Sequence, residues 1–151
     1  MAALIGAPSP ADIALVKNTS EGLSIVAYGI DWRPGDNVLG IAQEFPSNRM
    51  VWESLSDQGV AYRRLDLYAS SRPEADLMAL CDERTRLLAL SSVQYARGLK
   101  LDLERLGDFC RERDILFCVD AIQSLGVVPF DLQRIRADFV VADGHKWLLG
   151  P

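Results

Sequence analysis

Cysteine is scarce in this chain, and the three residues present are Cys81, Cys110 and Cys118. Their number is odd and no CxxC pair occurs, so we expect neither a disulfide framework nor a metal site. Long apolar runs are also lacking: none reaches the length of a membrane span, and the first residues lack the basic segment of a signal peptide. Together these absences predict a cytoplasmic protein without a membrane partner.

Positive charge is in short supply, with 16 Lys and Arg residues against 21 Asp and Glu and a net charge of -5. Because binding to nucleic-acid phosphates needs a basic face, nucleic acid is not expected as a partner. The sequence contains no Ser-His-Asp set, GxSxG elbow, Walker A sequence or GxGxxG loop. Serine hydrolase, P-loop and Rossmann-type dehydrogenase functions are therefore disfavoured.

Short apolar runs alternate with longer amphipathic ones along 151 residues, a length typical of one domain. Apolar strands separated by helix-length segments predict an α/β fold, with a mostly parallel sheet covered by helices on both faces in three α/β/α layers. Helices are predicted at 23–30, 48–58, 73–81 and 101–113, with a short helical turn at 131–135. Six strands are predicted, at 11–16, 37–42, 60–66, 85–93, 115–119 and 137–142.

In sheets of this kind, ligands bind beyond the carboxyl ends of the strands. Thr19 and Ser20 follow the first predicted strand, where hydroxyls and free N–H groups at a helix start suit a phosphate, although both residues are also ordinary helix caps. Phe45 follows the second strand and is either a stacking surface for a flat ring or a core residue. Gln94 and Tyr95 follow the fourth strand.

Asp120 directly follows the apolar run 115–119. A carboxylate is rare at the end of a buried strand unless it is paired. Asp120 could therefore hold a cationic ring nitrogen, a metal ion or an arginine, or it could cap the next turn. Gln123 would face the same site if that turn is helical.

Lys146 is one of only three lysines, and it lies between the last predicted strand and the apolar residues that start at Trp147. A lysine partly removed from water is a usable amine nucleophile, as a Schiff base requires. The alternative is a side chain that reaches solvent from a strand end. The neighbouring His145, the only histidine, could stack, donate or move protons, or have a structural role.

A phosphate site, an aromatic plate, an acid for a ring nitrogen and an amine together fit one cofactor, pyridoxal 5′-phosphate. The segments 119–126 (VDAIQSLG), 137–139 (ADF) and 143–147 (DGHKW), followed by Gly150 and Pro151, resemble the class V aminotransferase and cysteine desulfurase family. The resemblance extends over nearly the whole chain. It implies the large domain of a pyridoxal-phosphate-dependent transferase with the aspartate aminotransferase type of fold.

The resemblance also implies roles for single residues. Lys146 would form the Schiff base with the cofactor, and Asp120 would pair with the pyridinium nitrogen and keep the ring an electron sink. Gln123 would lie near the phenolic oxygen of the cofactor. His145 would contribute to the surroundings of the phosphate and the ring.

Further positions match the family less closely. The phosphate-binding turn corresponds to Thr19–Ser20, and Phe45 stands where many desulfurases have a histidine, so this ring could stack but not assist proton transfer. Asp143 replaces the usual serine before Gly-His-Lys, and its negative charge near a phosphate would be unfavourable unless the side chain turns away. The asparagine that contacts the cofactor in the family corresponds to Gln94 or Tyr95.

Family members have the lysine in mid-chain, followed by a small C-terminal domain. The resemblance therefore implies that residues 1–151 are a partial cofactor-binding large domain, without that small domain and without an N-terminal segment, and with little or no turnover. The complete protein would be a homodimeric class V aminotransferase or cysteine desulfurase-like enzyme acting on an amino acid. The alternative is a catalytically silent α/β module that binds a partner or a nucleotide.

Overall fold

The computed structural model describes residues 1–150, so Pro151 lies outside the described residues. One sheet contains the strands β1 (Asn37–Ile41), β2 (Ala61–Leu65), β3 (Thr85–Ser91), β4 (Leu116–Asp120) and β5 (Phe139–Val141). Their order is β2-β1-β3-β4-β5, and every neighbouring pair is parallel. The parallel sheet is confirmed, and the direction of the last strand, which the sequence leaves open, is the same as that of the others.

Six α-helices accompany the sheet, and several of them begin at recognisable caps. The Asn18 side chain accepts a hydrogen bond from Glu21 N at the start of the second helix, and Asp102 accepts one from Arg105 N at the start of the fifth. The helices are α1 (Ala2–Ile5), α2 (Thr19–Gly29), α3 (Ser47–Glu53), α4 (Pro73–Leu80), α5 (Leu103–Glu112) and α6 (Leu132–Ile135), with 3₁₀ turns at Pro10–Asp12 and Ser54–Gln58.

Two hydrophobic cores lie on opposite faces of the sheet. Leu88 and Leu90 of β3 pack on one face with residues of α4 and α5. Leu87 and Ala89 of the same strand pack on the other face with residues of α2 and α3. Because successive side chains of a strand point to opposite faces, an apolar run such as β3 feeds both cores. The three-layer α/β/α arrangement is therefore confirmed.

The strand predicted at residues 11–16 is wrong, and the sheet has five strands rather than six. A 3₁₀ turn begins after Ser9, whose side chain caps the turn and whose N–H donates to the Asp12 carboxylate at 3.0 Å. Leu15, expected inside a buried strand, is 97% exposed. Reciprocal side-chain caps give the backbone a local alternative to strand pairing, and here that alternative prevails.

The second helix begins earlier than predicted, at Thr19 rather than at Leu23. As a result, Thr19 and Ser20 form the first turn of α2 instead of a loop before it. No helix within residues 1–150 has the length and apolar character needed to cross a membrane. The same part of the chain contains no cluster of three or more side chains that could hold a metal ion.

Candidate active site

The carboxyl ends of β3 and β4, together with the segments that follow β1 and β5 and the first turn of α2, surround one cavity of about 270 Å³. This volume is near the lower end of the range for small-molecule sites. Nine of the ten predicted site residues line the cavity, and only Gln94 does not: the nine are Thr19, Ser20, Phe45, Tyr95, Asp120, Gln123, Asp143, His145 and Lys146.

Thr19 stands at one side of this cavity, in the first turn of α2. Its side chain is buried, and its hydroxyl Oγ1 has no hydrogen-bond partner among the described residues. The Ser20 hydroxyl donates to the Ser47 hydroxyl at 2.9 Å, which joins the first turns of α2 and α3. The N-terminus of a helix favours an anion because its first N–H groups are free and the helix dipole is positive there.

Asp120 ends β4 and is almost fully buried, at 2% exposure. One carboxylate oxygen, Oδ1, accepts a hydrogen bond from Ile122 N at 3.0 Å. No basic side chain among residues 1–150 forms an ion pair with it. Burial raises the pKa of Asp120 to about 6, although the bond from Ile122 opposes that shift. The site therefore contains a buried acid without a cationic partner in the described part of the chain.

Glu44 is a second buried acid beside the cavity, and the sequence analysis did not select it as a site residue. Its carboxylate accepts hydrogen bonds from Ser91 N at 2.7 Å and from the Ser91 hydroxyl at 2.5 Å. Burial raises the pKa of Glu44 to about 7, and the charge of Asp120 adds to the shift. Like Asp120, Glu44 is a carboxylate shortly after an apolar strand, so the same sequence pattern identifies it as a candidate site residue.

An aromatic pair forms the outer border of the cavity. Phe45 and Tyr95 meet edge to face, with ring centroids 5.4 Å apart and an interplanar angle of 86°. Both side chains are 49% exposed, so neither belongs to the hydrophobic core. Phe45 thus offers a ring surface at the cavity, and Tyr95 packs against it.

Gln94 holds the chain in place next to this pair instead of facing the cavity. Its amide nitrogen donates to Gln43 O at 2.8 Å, and its amide oxygen accepts from the N–H groups of Ala96 and Arg97. The side chain is 1% exposed. Since its amide group is occupied by backbone partners, Gln94 shapes the loop that carries Tyr95.

The turn that follows β5 brings Asp143, His145 and Lys146 to the cavity. The imidazole Nδ1 of His145 lies 2.9 Å from Asp143 Oδ1, and the hydrogen bond from His145 holds the pKa of the Asp143 carboxyl below its usual range. A neutral imidazole in this arrangement carries its proton on Nδ1, which leaves Nε2 as an acceptor. The negative charge of Asp143 is thereby directed towards its own neighbour.

Lys146 is exposed, which agrees with the alternative in which its side chain reaches solvent and not with partial removal from water. The physical reason is its place in a turn at the open carboxyl edge of the sheet, beside the half-exposed Trp147. The turn that carries Lys146 packs closely against Gly126, which has a φ of +102°. A Cβ at Gly126 would lie 2.6 Å from Trp147 O. Glycine at this position allows the segment after Asp120 to approach the lysine-bearing turn.

The described geometry can be compared with known proteins. The family model of class V aminotransferases matches residues 1–151. The chain belongs to the class V aminotransferase family. It is 35% identical over 141 residues to the probable cysteine desulfurase of Methanothermobacter thermautotrophicus, a match that covers 93% of this chain and 35% of that protein. It is 32% identical to the isopenicillin N epimerase of Amycolatopsis lactamdurans, covering all of this chain and 40% of the epimerase.

Among solved structures, the chain resembles the cystine C–S lyase C-DES in complex with its product cysteine persulfide. The TM-score is 0.92 at 29% identity, and the match covers 99% of this chain and 41% of the lyase. These similarities confirm the large-domain fold of the pyridoxal-phosphate-dependent transferases. The chain spans about 35 to 40% of the length of the relatives it matches.

Proposed function

We propose that this chain is the cofactor-binding part of a pyridoxal-phosphate enzyme that acts on an amino acid, as a cysteine desulfurase does. The observation that supports this best is the convergence of Thr19, Asp120 and Lys146 on one cavity of about 270 Å³. These three residues supply a hydroxyl, a carboxylate and an amine. The relatives that match the chain are named as desulfurases, an epimerase and a lyase, so the finer reaction is part of the proposal.

The phosphate end of the cofactor fits the first turn of α2. Thr19 Oγ1 is a buried hydroxyl with no partner among residues 1–150, and such a group is unfavourable unless a ligand bonds to it. A phosphate would accept from this hydroxyl and from the N–H groups at the helix start. The Asp143 carboxylate would stay bonded to His145 Nδ1, 2.9 Å away, when the phosphate binds.

The ring of the cofactor fits the opposite part of the cavity. Asp120 is buried without a cationic partner, and a protonated ring nitrogen would supply one. The ring nitrogen would in turn be held protonated, because a nearby carboxylate favours the charged form. Phe45 would stack on the ring, and Tyr95 would hold Phe45 by its edge-to-face contact.

When bound, pyridoxal phosphate supplies an electron sink for a carbanion formed on the amino-acid substrate. Lys146 would hold the cofactor through its amine, which is exposed and free to reach the cavity. His145, with Nδ1 fixed by Asp143, would present Nε2 as a proton acceptor. Gln123 lines the same cavity and would donate to a ring oxygen.

Residues 1–151 are, in this proposal, a partial large domain. The matched relatives are more than twice as long, and we expect groups that clamp the substrate to lie in parts that this chain does not share with them. Without such a clamp the substrate and Lys146 are not held together, so the chain alone should bind the cofactor with little turnover. The complete enzyme is proposed to be a cytoplasmic homodimer.

The test is titration of the purified chain with pyridoxal phosphate, followed by visible absorbance. The wild-type chain should develop a band that saturates, and Lys146→Ala should remove it. Lys100→Ala serves as the matched control, since Lys100 is an exposed lysine that does not line this cavity, and it should leave the band unchanged. A wild-type chain without the band at high cofactor concentration would favour the silent binding module.

A further inference from the structure

Glu44 connects the segment after β1 to the end of β3 by hydrogen bonds at the carboxyl edge of the sheet. It follows β1 by three residues, and both of its carboxylate oxygens accept hydrogen bonds from one residue, Ser91, at the end of β3. The next residue is Phe45, whose ring lines the candidate cavity. The two bonds therefore fix the segment from which this ring projects.

The same carboxylate lies near Asp120. Ser91 is paired with Asp120 in the register of β3 and β4, so the two buried acids flank the end of one strand. The charge of Asp120 raises the pKa of Glu44 further, beyond the larger effect of burial, to about 7. No lysine, arginine or histidine forms an ion pair with Glu44 within residues 1–150.

The charge of Glu44 raises the pKa of two other titratable groups, Tyr62 on β2 and Cys118 on β4. Burial raises the pKa of both, so both stay neutral near pH 7. Joint ionisation of the two carboxyl groups is opposed, because the charge of Asp120 raises the pKa of Glu44. A cationic ring nitrogen at Asp120 would favour the state in which both are ionised.

We infer that Glu44 is a positioning residue of the cofactor site: it fixes Phe45 through Ser91, and its ionisation strengthens the hold of Asp120 on a cationic ring nitrogen. This inference rests on the proposed function. It makes a definite prediction about pH. As Glu44 loses its proton, the negative charge near the ring nitrogen increases, and cofactor affinity should increase with it.

Glu44→Gln is the variant that tests the inference. A glutamine can accept a hydrogen bond from Ser91 N and donate one to the Ser91 hydroxyl. The hydrogen bonds between the two segments are therefore kept while the titrating charge is lost. Pyridoxal-phosphate affinity should be measured for both proteins from pH 5.5 to 8.5. The ratio of dissociation constants, variant over wild type, cancels the ionisation of the cofactor and of Lys146. It should rise by about tenfold over this range, the change expected for one pKa unit of coupling.

Two controls separate charge from structure. Ser91→Ala removes one hydrogen bond to Glu44 but keeps the carboxylate. Because that bond lowers the pKa of Glu44, this variant should keep the pH-dependent change in cofactor affinity and shift it to higher pH. Glu112→Gln makes the same change of net charge at an exposed position of α5 and should leave affinity unchanged. A ratio for Glu44→Gln that stays constant with pH, while the wild type binds the cofactor, would overturn this inference alone. A wild type that does not bind would overturn the proposed function as well.

Discussion

Replacing Asp120 with asparagine should make the cofactor-free protein more stable while weakening cofactor binding. Asp120 is 2% exposed, and burial raises its pKa from 3.8 to about 6. Asparagine has nearly the same shape and can still accept the hydrogen bond from Ile122 N. The substitution therefore removes mainly the charge and the proton equilibrium.

The sign of the effect follows from linkage. The folded-state pKa of Asp120 is raised, so its contribution to stability is fully present below its unfolded-state value near 3.8 and is lost as pH rises through about 6. A shift of about two units corresponds to about 3 kcal/mol above pH 7. Between pH 4.5 and pH 8, the gain in unfolding free energy of Asp120→Asn over wild type should grow by roughly 2 kcal/mol.

Urea unfolding of both proteins at these two pH values, without cofactor, measures this difference. Any effect of the asparagine that does not depend on pH, such as an unpaired amide, cancels in the comparison. Asp66→Asn is the control, because Asp66 is exposed and hydrogen bonds from Tyr68 N and Gln43 hold its pKa below the usual range. It is ionised at both pH values, so its cost should be the same at both. An equal gain for Asp120→Asn at pH 4.5 and pH 8 would refute the reasoning.

Two further substitutions test the phosphate end and the lysine turn. Thr19→Val should leave the cofactor-free protein as stable as wild type or up to about 1 kcal/mol more stable, because Oγ1 has no partner among residues 1–150. The same substitution should lower the affinity for pyridoxal phosphate. Thr85→Val is the control: it removes a hydroxyl bonded to Asn37 and should lower the free energy of unfolding. Gly126→Ala should lower both the melting temperature and the cofactor affinity, since its Cβ would lie 2.6 Å from a backbone oxygen. Gly98 also has a positive φ but has open space around it. Gly98→Ala should therefore lower the free energy of unfolding by only about 1 kcal/mol and leave cofactor binding unchanged. Equal effects within either pair would contradict the assignment.

Most of the sheet could be predicted from the sequence because β1, β3, β4 and β5 are short, mainly apolar runs; β2 contains Arg63 and Arg64 and is only partly buried. The run 115–119 is the clearest case, since its residues feed both cores and its end places Asp120 at the ligand edge. The residues after β1, β3, β4 and β5 converge for the same reason: in a parallel sheet, all carboxyl ends lie on one edge. Seven of the nine predicted residues that line the cavity lie there because of that geometry, whereas Thr19 and Ser20 reach it from the first turn of α2.

The failures arise where local bonds compete with the pattern. Residues 11–16 have the apolar character of a strand, but the cap of Ser9 and Asp12 starts a turn, and the segment finds no partner in the sheet. The apolar neighbours of Lys146 leave open whether its side chain is partly removed from water, and in the structure Trp147 and Leu149 are themselves exposed. Gln94 and Tyr95 are adjacent, and only the loop geometry decides which of them faces the cavity.

The energetics of the buried polar groups argue that this edge of the sheet is built for a ligand. At the opposite end of the strands, the buried Asn37 and Thr85 bond to each other and to Asp82, so their polar atoms have partners. At the carboxyl edge, considering residues 1–150, Thr19 has a hydroxyl without a partner, and the two acids Glu44 and Asp120 are buried without a cation. Each of these groups makes folding less favourable by itself. One molecule with a phosphate and a cationic ring would satisfy the hydroxyl and compensate the acids together.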